Sequence, residues 1–262
     1  MSSHFACIGF PIREMAEYDR LKERAAAEGV RIHLPEGGAL IRWQVGGGPE
    51  IWALVDSEGE VVEATPFHRV GATLRLAVTA YGEDAEQDGE GWVEGWVEPV
   101  EPDEPLSGAF PLRLDVVNFA LARGDLHTGT IVPVEICAIA SEASLSPDAA
   151  AYDRTRQTEY RLPVRSVVSS AHFGADAPEV EPEATALITG IVEEARLLTN
   201  RVTGASYWQL QVGVEKETLT VLADRDTLPA EPERRNVLSV SCWMLARVLD
   251  PTAESAAGNQ SP

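Results

Sequence analysis

Lysine is nearly missing from this chain: of 21 basic residues only Lys22 and Lys216 are lysines, against 42 acidic residues and a formal charge of −21. The preference for arginine reads as codon usage and carries no function. Cysteine is almost as scarce. Cys7, Cys137 and Cys242 are far apart, odd in number and each set in an apolar run, which excludes a disulfide framework and predicts buried free thiols in a reducing compartment. No run approaches the roughly 18 apolar residues of a membrane span, and the N-terminus lacks a basic stretch followed by an apolar one, so a cytoplasmic location and no membrane partner are expected.

The signatures of chemistry are missing too. There is no Gly-x-Ser-x-Gly elbow, phosphate loop or dinucleotide fingerprint. His4, His33, His68, His127 and His172 never stand at ligand spacing from another His or Cys. The expectation is therefore a protein without cofactor, metal or catalytic residue, more readily a binder than an enzyme.

What is present is charge, unevenly spread. Residues 1–183 hold 32 acids and 14 bases, whereas residues 184–250 hold nine acids and seven bases. A front this acidic repels phosphate backbones and favours a basic protein partner. Between Glu83 and Glu104 there are ten acids and no base, read as an exposed ribbon or loop.

The periodicity predicts an α+β, predominantly antiparallel β fold: an α+β N-terminal body followed by a small, closed or half-closed antiparallel β-barrel. The body covers residues 1–175, read as one unit or as two modules at about 1–72 and 73–175. It opens with a strand over Ser2–Phe10 and one amphipathic helix through Ile12, Met15, Tyr18, Leu21 and Ala25, with Gly29 at a left-handed C-cap position. A hairpin around Gly46-Gly47-Gly48-Pro49 follows, then strands at Glu60–Ala64, Thr73–Ala80, Phe110–Val117 and Gly129–Ala140, a short helix from Ser146 to Gln157, and a strand at Tyr160–Ser169. Residues 176–183 form a Pro/Glu linker, residues 184–250 the barrel and residues 251–262 a disordered tail. Apart from the duplicated Gly-Trp-Val-Glu at 91–94 and 95–98 there is no internal repeat.

Four candidate clusters stand out. In a strand Trp92, Glu94, Trp96 and Glu98 share one face, two aromatic planes beside two carboxylates, which suits a cationic partner segment, a homo-oligomer interface or packing on the body. Arg42, Trp43 and Trp52 on the Gly-triplet hairpin, with His68, line a pocket or fill a core. Asp84–Gly89 opens like a calcium loop but departs from that pattern at its third and twelfth positions. Tyr207 and Trp208, with Arg196, Arg201, Arg234 and Arg235, have the residue types of a nucleic-acid site, yet the overall acidity argues against nucleic acid.

Two resemblances follow. The order strand, helix, three strands over Ser2–Ala64 resembles half of a vicinal-oxygen-chelate (glyoxalase-like) domain. That resemblance implies a metal-dependent enzyme or small-molecule binder with His4 and Glu60 or Glu63 as ligands. The strand layout from Ile-Thr-Gly-Ile-Val-Glu-Glu to Val-Ser-Cys-Trp-Met-Leu resembles an OB-type barrel. The leading expectation is a non-catalytic binding or assembly protein with an acidic recognition surface.

Overall fold

A computed structural model describes residues 4–35, 37–84, 89–101, 104–155, 162–170 and 183–249. The linker expected at 176–183, except Glu183, lies outside these residues, as do the tail and the centre of the calcium-like loop.

The chain begins with a 3-10 turn, His4–Ile8, and helix α1, Met15–Glu28. Strands β1 (Val30–His33), β2 (Ala39–Gln44), β3 (Pro49–Val55) and β4 (Val61–His68) then form a four-stranded antiparallel sheet in chain order. The expected first strand is not formed. Cys7 and Ile8 are buried under the sheet, and the carbonyl of Ile8 accepts from Asn200 Nδ2 at 3.0 Å. A tertiary anchor therefore overrides the local β preference of this short run. Gly29 is not left-handed either, with φ −80. Its reason is space: a Cβ there would lie 2.4 Å from Ile41 Cγ2 and 2.6 Å from the Ala25 carbonyl.

The rest of the described chain is built on nine strands: β5 (Leu74–Glu83), β6 (Gly91–Val97), β7 (Phe110–Val116), β8 (Ile131–Ser146), β9 (Ser166–Ser169), β10 (Thr185–Thr199), β11 (Ser206–Val214), β12 (Glu217–Asp224) and β13 (Val237–Val248). Short helices α2 (Phe119–Ala122) and α3 (Ala149–Thr155) flank β7 and β8. The pairings close two rings of five strands. One runs β5-β6-β7-β13-β8 and back to β5; the other runs β10-β11-β12-β8-β13 and back to β10. In each ring the third strand lies parallel to the next, β7 to β13 and β12 to β8, and all other pairs are antiparallel.

Each ring is thus a five-stranded Greek-key barrel of the OB kind, and the two are interlocked. β8 is the fifth strand of the first ring and the fourth of the second, while β13 holds the reverse places. Residues 184–249 supply four strands of the second barrel, and β8 completes it. A topological duplication relates β5–β8 to β10–β13, and no repeat of sequence announces it.

Strand alternation explains why β8 reads as an unbroken apolar run, Ile-Cys-Ala-Ile-Ala. Ile136, Ala138 and Ala140 face the common barrel interior. Cys137 and Ile139 face outward onto the N-terminal sheet, where Leu245 of β13 joins them. The sheet packs Phe67, Ile51 and Ile41 on that outer surface. All three cysteines are free and buried.

Leu245 is fully buried where the shared strands meet the N-terminal sheet. Leu245→Ala is predicted to cost about 2–5 kcal/mol. Urea unfolding followed by tryptophan fluorescence and by far-UV circular dichroism should shift together as one transition, because the two barrels have no separable halves.

Candidate functional site

On β6 and β7 the inward positions Val93, Val97, Leu112, Leu114 and Val116 fill the first barrel. The outward positions are Trp92, Glu94 and Trp96, standing opposite Asp115, Arg113 and Pro111. The acidic stretch is therefore not a loose ribbon over its whole length, since Gly91–Val97 is a barrel strand with largely buried residues. Glycine is required here: a Cβ at Gly95 would lie 2.5 Å from the Ala77 carbonyl of the adjacent strand.

The four residues of the predicted partner face divide. Glu94 is buried and accepts from Arg113 Nη1 at 3.0 Å, and the Arg113 guanidinium lies 3.7 Å from the centre of the Trp92 ring. Glu98 lies just past the strand at φ +48 and binds Arg75 through Nε at 2.9 Å and through its main-chain N at 2.7 Å. Both glutamates thus hold arginines of this same chain, and Trp92 of the four reaches an open cavity.

That cavity lies between the outer face of the first barrel and the N-terminal sheet. A narrower part of about 80 Å³ is walled by Trp52 and Leu54 on one side and by Glu90, Trp92, Asp115 and Trp243 on the other. It opens past Asp84, Trp92, Asp115 and Trp243 into a cleft of about 760 Å³ bordered by His4, Arg113 and Glu183. Trp243 Nε1 donates to Asp115 Oδ2 at 2.6 Å, and the His4 ring stacks on Trp243 at 5.0 Å between centroids. Burial pushes the Glu90 carboxyl up to about 7, and the nearby charges of Glu63, Asp84 and Asp115 push the same way.

The pocket candidates from the sequence also separate. Trp52 walls the narrower part of the cavity, donates from Nε1 to Glu50 Oε2 at 2.9 Å, and faces the Arg42 guanidinium at 5.9 Å. Trp43 is core, against Phe10. His68 is buried away from the cavity. Its Nδ1 is 2.8 Å from the Arg69 carbonyl, which can only accept, so Nδ1 carries the proton and Nε2 accepts from the Tyr207 hydroxyl at 3.1 Å. Gly48 leaves room for the ring, since a Cβ there would be 2.2 Å from it. Behind this pair Arg247 Nη2 donates to Glu135 Oε2 at 2.6 Å, and burial pushes the fully enclosed Glu50 carboxyl upward against Arg247, Arg42 and Arg69.

The metal ligands implied by the vicinal-oxygen-chelate resemblance do not assemble. Glu60 lies exposed at a turn, Glu63 accepts from the Tyr18 hydroxyl, and His4 sits in the 3-10 turn against Trp243. Among the described residues no three His, Cys, Asp or Glu side chains gather as a metal site. Tyr207 and Trp208 are buried and offer no stacking surface. No helix among the described residues is long and apolar enough to cross a membrane.

Asp115, Arg113, Glu90 and Trp243 were not among the residues singled out from the sequence. Alternation along Phe-Pro-Leu-Arg-Leu-Asp-Val does put Arg113 and Asp115 on the face opposite the leucines. That β13 lies beside β7 is a long-range pairing with no local signal. Comparison with known proteins finds no matching protein family, curated protein or solved structure.

His68, pushed down by burial to about 4, makes stability depend on pH. Between pH 6.5 and 4 the unfolded chain binds a proton that the folded chain refuses, so stability falls as pH falls through that window, by at most about 3 kcal/mol. In His68→Leu that part of the slope should vanish in urea melts at pH 7, 5.5 and 4.5. Glu94→Leu, which removes the buried carboxylate bound by Arg113 Nη1, should cost about 3 kcal/mol or more, and Glu94→Leu with Arg113→Met should recover most of it.

Proposed function

We propose that this is a non-catalytic binding protein whose recognition site is the acid-lined cleft on the outer face of the first barrel, and that it takes a cationic side chain of a basic protein partner. One observation carries the reading: the cleft occupies the face of the second and third strands and the connection between the first and second, where barrels of the OB kind hold their ligands. Here that face is lined by Asp84, Glu90 and Asp115 beside Trp92 and Trp243. Indole faces beside carboxylates attract an ammonium or guanidinium and repel a phosphate. Arg113 over Trp92 and against Glu94 is an intramolecular example of the same pairing. A cation beside Glu90 favours its ionised form and so opposes the upward push on its carboxyl.

Acetyl-arginine-amide titrated against intrinsic tryptophan fluorescence tests the reading. Binding with a Kd on the order of 1 mM is expected, weakening with salt, strengthening from pH 6 to 8, and losing that pH dependence in Glu90→Gln. No response to the amide, or tighter binding of an oligothymidylate or a neutral oligosaccharide, overturns it.

A further inference from the structure

The cleft does not end at Trp243. It passes along β13 into a second groove of about 250 Å³, the two sharing Ser241. Three neighbouring strands make the passage in register. Thr185, Leu187 and Thr189 of β10 stand opposite Trp243, Ser241 and Ser239 of β13. On the other side Ser241 and Ser239 stand opposite Glu142 and Ser144 of β8. Cys242 and Val240 point into the barrel core, so Trp243, Ser241 and Ser239 form an outward row along the groove floor.

We infer that the partner's basic side chain is presented by an extended polypeptide segment lying along β13, its cation at the Trp92–Trp243 end and an apolar side chain against Leu187. The inference rests on the binding site proposed above and adds the form of the ligand. From Trp243 to Ser239 is four strand steps, about 13 Å, the span of four to five residues of extended chain. The surface changes along the row and across it: aromatic and acidic at Trp243, hydroxyl-bearing from Ser241 to Ser239, and apolar to the side of Ser241, where Leu187 (48% exposed) pairs with Val168 (46% exposed) across β9 and β10. The hydroxyls of Ser241 and Ser144 suit the donors and acceptors of a peptide backbone, and an apolar side chain covers two exposed aliphatic ones. Glu142 and Glu183 border the same path, so the whole groove favours a segment of positive charge.

The test compares acetyl-arginine-amide with acetylated peptides of three, four and six residues that place arginine at one end and leucine two or three residues away, in both chain directions. Affinity in one direction should rise at least about tenfold between the single residue and the six-residue peptide. Leu187→Asp, at an outward position that lines only the second groove, should remove that gain while leaving acetyl-arginine-amide binding unchanged. Retained amide binding with no gain from length in either direction sinks the extended-segment inference and leaves the cationic site standing. Loss of binding of every probe sinks the site itself. A neutral oligosaccharide that binds more tightly than the peptides and is blocked by Leu187→Asp assigns the groove to another ligand class and overturns both.

Discussion

The antiparallel ladder between β8 and β13 is the constraint on which the rest depends. It runs from Ser146–Val237 to Val134–Val248 with one irregularity beside Ser241 and Cys242, and each of its strands closes a barrel begun by the other half of the chain. Its inner side chains build the common core. Its outer side chains do two things in succession: near Leu245 and Cys137 they seat the N-terminal sheet, and from Trp243 onward they floor the groove. The candidate site is thus a boundary effect. It lies where the N-terminal sheet stops covering the ladder and leaves a step walled by His4 and Trp52.

The electrostatics follow from the same arrangement. The first barrel's outer face is the place where an OB-type barrel receives a ligand, and its sequence there, Gly-Trp-Val-Glu-Gly-Trp-Val opposite Pro-Leu-Arg-Leu-Asp, places one arginine among several acids. That arginine is committed to Glu94 and Trp92. Glu63, Asp84 and Asp115 lie near the Glu90 carboxyl, and their charge acts on it in the same direction as burial. By contrast, the barrel with the more balanced sequence buries Tyr207 and Trp208, the aromatics that resembled a stacking platform.

Local pattern accounted for much of the fold. The strands of the second barrel, the Gly-triplet hairpin and the amphipathic helix were legible because period and turn residues are properties of a few neighbouring positions. The 3-10 turn at His4–Ile8 was not, because Asn200 and the underside of the sheet decide it. The interlocking was invisible for a like reason: β7 beside β13 and β12 beside β8 are parallel pairings across about a hundred residues, and alternation alone does not choose a partner. At the site, Trp92 stood out by its unusual repeat, whereas Trp243 and Asp115 looked like ordinary strand residues until the ladder brought them within 2.6 Å.

The exchange of strands has a consequence for synthesis. As the chain emerges, β5 to β8 appear long before β13, so the first barrel must wait with β7 lacking its parallel neighbour until the last strand is released. An open edge of this kind invites pairing with other nascent chains. The waiting segment is also the one bearing ten carboxylates and no cation from Glu83 to Glu104, and mutual repulsion between such segments keeps unfinished copies apart. The carboxylates gathered around the finished cleft are thus the same ones that give half-made copies a like charge.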